Sequence, residues 1–129
     1  MRIESYFQQI RDLIDTCPIV QSSSITYDKR ATYEGFVHGE LYFVDGSILY
    51  VPEYVDVEMM VDRLMCAYQY VDAAQILIFR YDNTGHHYKL DLSTYPHHKH
   101  VNREDNVISS PAPLLSTILG ETEKLVQLP

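Results

Sequence analysis

The sequence contains no tryptophan, only two cysteines and no long apolar segment. Cys17 and Cys66 lack the spacing of a metal site and stand in apolar surroundings, so we expect free, buried thiols in a reducing compartment. No apolar run approaches the roughly 20 residues that a membrane-spanning helix requires. The N-terminal MRIESYFQQIRDLI carries more charge than a signal peptide tolerates. These absences predict a cytoplasmic protein with no membrane contact.

Positive charge is also scarce. Ten Lys and Arg face 18 Asp and Glu, which gives a formal net charge of -8. That balance argues against bulk electrostatic binding of nucleic acid, because such binding needs a positive face. It still leaves room for a local positive cleft. Six residues supply most of the positive charge beyond the first predicted helix: Lys29, Arg30, Arg80, Lys89, Lys99 and Arg103.

Tyrosine, by contrast, is abundant, with 11 residues in short alternating runs that favour β-strands. The length of 129 residues suits one domain, residues 1–129, with a substantial core. Apolar residues at three- and four-residue intervals predict an N-terminal amphipathic helix that ends before Pro18. Its apolar stripe comprises Ile3, Tyr6, Phe7, Ile10, Leu13 and Ile14.

The clearest hairpin in the sequence is FVHGELYFV, Asp45-Gly46 and SILYV. Asp-Gly suits a type I′ turn, whose two central residues need positive φ. A two-residue loop places Phe43 opposite Ile48. We expect Pro52 to end the pairing, because it has no N–H for a β-ladder. Alternate residues of the first arm should share one face: Val37, Gly39, Leu41 and Phe43.

Other elements surround this hairpin. QSSSITYDKRATYEG precedes it as a polar edge strand, and Leu64–Val71 and ILIFRYDN follow it as further strands. In SSPAPLLSTILGETEKLV we expect Ser110 as N-cap and Pro111 at the first position of a second helix. Its predicted apolar face comprises Leu114, Leu115, Ile118, Leu119, Leu125 and Val126. The predicted class is α+β, an antiparallel meander of about five or six strands flanked by an N-terminal and a C-terminal helix.

Histidines are concentrated in one short stretch. Between Arg80 and Val101 lie five of the six histidines: His86, His87, His97, His98 and His100. An unperturbed imidazole titrates near ~6.5, so it can serve as acid, base or metal ligand at cellular pH. This stretch is therefore the candidate functional segment.

Metal-free phosphodiester cleavage is our preferred hypothesis for this segment. One of His98 and His100 would deprotonate a ribose 2′-hydroxyl, and the other would protonate the leaving oxygen. Lys99 or Arg80 would stabilise the charge that develops on phosphate, and Asp82 would orient an imidazole or hold a metal. No cofactor is expected. Substrate-binding roles fall to Lys29, Arg30, Tyr81, Asn83, His86, His87 and His97.

Other hypotheses stay open. His98 and His100 would point to the same side of a strand and could bind a divalent metal together with Asp82, as in a metal-dependent enzyme acting on a small substrate. Magnesium-dependent nucleic-acid chemistry would need a carboxylate cluster, for which Asp28, Asp82 and Asp91 are available. A non-catalytic binding module would use the tyrosine-rich sheet. In a purely structural interpretation, the histidines belong to a solvated loop and a polar edge strand.

Three stretches in this order resemble the TumE-type toxin family: SSSITYDKRATYEGFVHGELYFVDGSILYVPEYVDVE, ILIFRYDNTGHH and YPHHKHV. The most specific pieces are Arg80–Asn83 followed by His86-His87, and Pro96–His100. The resemblance runs over most of the chain. It implies a small cytoplasmic toxin of prokaryotes, encoded beside a small antitoxin, and it raises RNA as the candidate substrate. It leaves the reaction undecided and a homodimer open.

Overall fold

The computed structural model describes residues 1–82, 98–101, 107–109 and 115–126, and of residues 82, 98, 100 and 107–109 the backbone alone. Within these ranges the elements are α1 (Ile3–Asp15), β1 (Val20–Lys29), β2 (Glu34–Phe43), β3 (Ile48–Asp56), β4 (Asp62–Val71), β5 (Leu77–Asp82), β6 (His98–Val101), β7 (Val107–Ser109) and α2 (Leu115–Leu125). The strands form one sheet in chain order, and each neighbouring pair is antiparallel. The predicted α+β meander with its two flanking helices is confirmed, and the short strands β6 and β7 bring the described sheet to seven strands.

The two faces of the sheet differ in their cover. The helix face packs against α1 and α2 and holds the core, which includes Leu41, Leu49, Tyr68 and Phe79, each at most 2% exposed. On the opposite face, called the open face below, the central side chains are half-buried: Glu40, Tyr50, Tyr54, Gln69 and Arg80. Side chains alternate between the faces along each strand, so one strand supplies both.

Helix α1 covers the sheet with the stripe that its sequence predicts. Leu13 is half-buried, and the other five residues of the stripe are buried: Ile3, Tyr6, Phe7, Ile10 and Ile14. Burying an apolar side chain of this size contributes about 1.5–3 kcal/mol relative to leaving it exposed. The Thr16 hydroxyl donates to the Asp12 carbonyl at 2.8 Å, and Pro18 follows directly after the last turn. The helix therefore ends where predicted.

The register of the β2–β3 hairpin differs by one residue from the prediction. Tyr42 pairs with Ile48 and Leu41 with Leu49, so the predicted pairing of Phe43 with Ile48 is wrong. Because side chains alternate between the two faces of a strand, this shift places Leu49 in the core, where it is 0% exposed, and moves Ile48 to the open face.

The hairpin loop explains the shift. The Phe43 N–H donates to the Ser47 carbonyl at 3.0 Å, and the Gly46 N–H donates to the Phe43 carbonyl at 3.0 Å. These bonds close a three-residue loop, in which Gly46 alone has a positive φ, of 87°. The Asp45 carboxylate accepts the Ser47 N–H at 2.9 Å. Asp-Gly thus serves a loop with one left-handed residue rather than a type I′ turn with two.

Pro52 does not end the pairing, contrary to the prediction. It pairs with His38 of β2, and β3 continues to Asp56. On the β4 side, the pairing covers Ile48–Tyr50 and resumes at Glu53. The missing N–H therefore interrupts one of the two ladders of a central strand and leaves the other intact.

Helix α2 packs much of its predicted face on the sheet, since Leu115, Ile118, Leu119 and the following Val126 are buried. Leu125 is 45% exposed, so its predicted place in the apolar face is wrong. The buried position is taken by Thr122, whose hydroxyl donates to the Ile118 carbonyl at 2.9 Å and so needs no other partner. The predicted start of the helix, with Ser110, Pro111 and Leu114, lies outside the described residues. Neither of these two helices has the length and apolar character to cross a membrane.

Gly39 is a point of close backbone approach in the middle of β2. Its φ is 146°, and a Cβ at this position would lie 1.9 Å from the carbonyl oxygen of Ser24 on β1. Backbone atoms of a paired strand cannot move aside as a flexible side chain can. The position therefore requires glycine for both conformation and space.

We expect Gly39→Ala to lower the free energy of unfolding by about 2–4 kcal/mol, because the β1–β2 ladder must shift to admit the methyl group. Gly120→Ala is the matched control. A Cβ at Gly120, on α2, meets nothing within 4 Å, and alanine there should be neutral or stabilising by up to about 1 kcal/mol. Urea denaturation of both variants measures the difference, and equal losses would contradict the assignment.

Candidate functional site

Two adjacent strands, β5 and β6, carry the segment that the histidine cluster singled out. Their register sets Arg80 opposite His100, Tyr81 opposite Lys99 and Asp82 opposite His98. Directly opposed residues of an antiparallel pair belong to the same face, with Cβ atoms about 4.5–5.5 Å apart. The register thus defines two neighbouring cross-strand pairs of positions on one face, Arg80 with His100 and Asp82 with His98.

These four positions belong to the open face. Arg80 pairs with Gln69 of β4, Gln69 with Tyr50 of β3, and Tyr50 with Glu40 of β2. One row of open-face positions therefore crosses the sheet from Glu40 to His100. Both helices of the described residues pack on the other face, so neither of them covers this row.

Lys99 and Tyr81 belong to the helix face and meet α2. The Lys99 Nζ lies 2.5 Å from Oε1 of Glu121, and the Tyr81 hydroxyl donates to Oε2 of the same carboxylate at 2.6 Å. The ammonium also lies 4.6 Å from the centre of the Tyr81 ring and 5.1 Å from that of Phe79. The structure therefore does not bring Lys99 and Tyr81 to the face that holds the histidine positions.

The ionisation of this cluster suits a structural ion pair. Burial alone lowers the pKa of Lys99, but hydrogen bonds with Glu121 and Tyr81 outweigh it and the pKa is raised above its usual value. Burial raises the pKa of Tyr81, and the Glu121 carboxylate raises it further. Both side chains consequently keep their protons at neutral pH, Lys99 as a cation and Tyr81 as a hydroxyl donor.

Lys29 and Arg30 lie at the opposite side of the sheet. Lys29 is the last residue of β1, and Arg30 comes directly after it. Strand β1 is five strand spacings, about 24 Å, away from β6. The Lys29 ammonium lies 3.4 Å from the Glu4 carboxylate, and the Arg30 guanidinium 2.9 Å from that of Asp28. Exposed pairs of this kind add little stability. The structure therefore does not bring these two predicted substrate-binding residues together with β5 and β6.

The predicted metal ligands are placed through their backbone only. Asp82 is directly opposite His98, and His100 follows two residues later on the same strand. Among the side chains that the structure does describe, no group of three or more His, Cys, Asp and Glu could hold a metal ion. A divalent metal bound by Asp82, His98 and His100 stays a prediction. Four predicted substrate-binding residues lie outside the described ranges: Asn83, His86, His87 and His97.

The open-face positions on β5 and β6 combine two imidazoles, one guanidinium and one carboxylate. A carboxylate stabilises a nearby imidazolium, and a guanidinium disfavours one. Two histidine positions opposite residues of opposite charge suit an acid–base pair, in which one imidazole holds a proton and the other accepts one. The guanidinium fits a phosphate oxygen by charge and by its planar set of donors.

Glu121 and Gln69 are two residues of this region for which the sequence alone predicts no functional role. Glu121 follows Ile118 by three residues, which places it beside the buried stripe of α2. Nothing local distinguishes it from the exposed Glu123 on the same helix. Gln69 stands between Tyr68 and Tyr70 in β4. Because successive side chains of a strand point to opposite faces, the burial of both tyrosines in the core places Gln69 on the open face.

A second unusual carboxyl group lies in the core. Glu53 is 1% exposed and accepts hydrogen bonds from the hydroxyls of Tyr6 on α1 and Tyr68 on β4. Burial raises its pKa, although the Tyr6 hydrogen bond and the charge of Arg63 act in the opposite direction. Burial also raises the pKa of Tyr6, and the neighbouring Glu53 adds to the shift. Because solvent does not reach it, we interpret Glu53 as a structural link between α1, β3 and β4.

The fold and the candidate site define a small α+β protein with a helix-backed sheet and two histidine positions on its open face. A protein-family model described as Toxin TumE matches residues 10–126, which is most of the chain. The chain belongs to the TumE toxin family. It is therefore a toxin of a toxin–antitoxin system, and a cognate antitoxin is its partner. No curated protein and no solved structure matches it.

Replacing Glu53 by glutamine tests the raised pKa. A carboxyl group whose pKa is higher in the folded state than its ordinary value of 4.5 contributes stability below that value, and this contribution is lost as the pH rises through the folded pKa. Glutamine keeps the shape but does not titrate. The free energy of unfolding of the native chain minus that of Glu53→Gln should therefore fall with rising pH, by up to about 1.4 kcal/mol per unit.

Urea denaturation between about pH 5 and 8 measures this difference. Glu58→Gln, which removes an exposed carboxylate just after the end of the same strand, is the control. A difference for Glu53→Gln that stays constant over this range would show that Glu53 titrates alike in the folded and unfolded chain.

Proposed function

We propose that this toxin is a ribonuclease that cleaves RNA without a metal, with His98 and His100 as its acid–base pair. Arg80 binds the scissile phosphate, and Asp82 orients the imidazole of His98. The β5–β6 register is the observation that carries this proposal, because Arg80 is opposite His100 and Asp82 opposite His98 on the open face. The site of action in this proposal is the cytoplasm, where RNA is accessible.

The charged residues at the positions opposite the two histidines support a division of roles. Asp82 favours the imidazolium form of His98, so His98 is the general acid. Arg80 disfavours the imidazolium form of His100, so His100 is the general base. Such a separation lets one histidine hold a proton and the other accept one at the same pH.

The reaction follows from these roles. His100 accepts the proton of the ribose 2′-hydroxyl while the 2′ oxygen forms a bond to phosphorus. The bond from phosphorus to the 5′ oxygen breaks, and His98 donates its proton to that leaving oxygen. The products end in a 2′,3′-cyclic phosphate and a 5′-hydroxyl. Arg80 stabilises the negative charge that grows on the phosphate oxygens in the transition state.

Unpaired RNA is the substrate form that the open face suits best. Gln69 and Tyr50 lie half-buried on the same row as Arg80, one strand and two strands away from it. A tyrosine ring can stack on a base, and an amide can bond a base edge, which are the means by which proteins bind unpaired RNA. DNA lacks the 2′-hydroxyl that this reaction needs.

Three predicted residues take a different place in this proposal. Lys99 and Tyr81 do not contact phosphate, because Glu121 binds both on the helix face. Arg80 is then the one phosphate-binding cation that β5 and β6 supply. Lys29, at the far edge of the sheet, belongs to the helix face and pairs with Glu4 of α1, so an RNA on the open face does not meet it.

A non-catalytic binding module is the second candidate function, and one observation favours it. Tyr42 is 36% exposed, and Tyr50 and Tyr54 lie with it on the open face. Half-exposed tyrosines are common in protein interfaces. In this alternative the open face binds a macromolecule and no bond is cleaved, so the histidines have no chemical role.

Induced expression in bacteria separates the two candidates. We expect the native chain to arrest growth and the double variant His98→Ala, His100→Ala to lose this effect at equal soluble yield. His38→Ala is the matched control, because His38 lies on the same face but on β2, three strands from β5. Arrest that persists in the double variant would support binding alone.

RNA cleavage by the purified chain tests the reaction itself. We expect activity to persist in EDTA, to leave 2′,3′-cyclic phosphate ends, and to fall by about 10²–10⁴-fold for either histidine variant. Arg80→Gln should cost about 10²-fold or more, through loss of charge stabilisation. Activity that EDTA abolishes would contradict the metal-free reaction and favour a metal at Asp82, His98 and His100.

The assignment of acid and base has its own measurement. In an NMR titration of the histidine ring protons, we expect His98 to lose its proton at higher pH than His100. Asp82→Asn should narrow the difference by lowering the midpoint of His98. Equal midpoints in the native chain, or no effect of Asp82→Asn, would contradict the assignment.

A further inference from the structure

We infer that Glu121 of α2 is a positioning residue that locks the register of β6 against β5 and so sets the spacing of the acid–base pair. This inference rests on the proposed function for its effect on catalysis. The contact that carries it is one carboxylate that bonds to both Tyr81 of β5 and Lys99 of β6. Its Oε1 lies 2.5 Å from Lys99 Nζ, and its Oε2 accepts the Tyr81 hydroxyl at 2.6 Å.

The position of this contact in the sheet is what connects it to the site. Tyr81 and Lys99 are opposed in the β5–β6 ladder. Tyr81 stands between Arg80 and Asp82 in sequence, and Lys99 between His98 and His100. The Glu121 carboxylate therefore lies on the helix face, directly behind the two cross-strand pairs of the open face.

Strand β6 needs such an anchor because it is short. It has four residues, and its outer neighbour β7 has three. So few ladder bonds hold a register weakly, and a slip of one residue sends every side chain to the other face. A slip of β6 would take both histidines off the open face and carry Lys99 onto it.

The surroundings of Lys99 oppose that slip. The Lys99 side chain is 16% exposed and that of Glu121 is 32% exposed, so their pair is better shielded from solvent than an ordinary surface salt bridge. The Phe79 and Tyr81 rings also lie beside the ammonium. Moving Lys99 to the open face would break the ion pair and leave the Glu121 carboxylate partly buried without its cation.

Glu121→Gln tests the inference, with Glu123→Gln as the matched control. Both variants change a carboxylate to an amide on α2, and Glu123 is exposed. We expect Glu121→Gln to lower kcat for RNA cleavage about tenfold or more, with KM changed less than about twofold. A group that bound substrate directly would change KM instead. Glu123→Gln should leave both constants unchanged.

Hydrogen exchange gives a readout that does not depend on catalysis. We expect the amide protons of Lys99–Val101 to exchange about tenfold faster in Glu121→Gln than in Glu123→Gln. Lys99→Met should have the same effect, and combining it with Glu121→Gln should add little, since both changes break one interaction. Should Glu121→Gln fail to fold, Tyr81→Phe removes one of the two bonds and serves in its place.

The possible outcomes separate the two proposals. If the native chain does not cleave RNA, the ribonuclease proposal fails, and the exchange measurement still decides whether Glu121 anchors β6. Faster exchange in Glu121→Gln with an unchanged kcat would overturn the positioning role. Equal exchange in Glu121→Gln and Glu123→Gln would overturn the anchor itself.

Discussion

The hydrogen-bond register between β5 and β6 is the constraint on which the rest of the site depends. The same ladder that directs Tyr81 and Lys99 to the helices directs Arg80 and the two histidine positions to the open face. Core and site are thus alternate residues of the same short strands, and neither can change register without the other. The packing of α2, on the opposite face of the sheet, therefore takes part in defining the site.

The sequence predicts those parts of the fold that one local pattern decides. The period of α1 identifies both the helix and its buried side, and alternation identifies the strands and the inward face of β2. The length of the hairpin loop does not follow from a local pattern, because Asp45-Gly46 suits loops of two and of three residues. The bond between Asp45 and Ser47 favours the longer loop. The effect of Pro52 depends on which neighbour its missing N–H faces, and that is a property of the assembled sheet.

For the candidate site, clustering of histidines in the sequence identified the strands that carry it but not the direction of each residue. Arg80 and Asp82 lie opposite His100 and His98 because two strands 15 residues apart in sequence pair in one register. Lys99 looked like a phosphate-binding residue because it stands between two histidines. Its partner Glu121 comes from a later helix, and only the tertiary fold brings that carboxylate to it.

The net charge of -8 does not by itself describe the field at Arg80, because several of the described carboxylates lie away from it. The opposed pair Asp56 and Asp62 lies at one end of β3 and β4. Along β4, Asp62 is seven residues, about 23 Å, away from Gln69, which is the residue beside Arg80. Glu40 shares the row of Arg80 but lies three strands away, about 14 Å, beyond the roughly 8 Å over which charges act in physiological salt. An approaching phosphate therefore responds to the charges near β5 and β6 more than to the total.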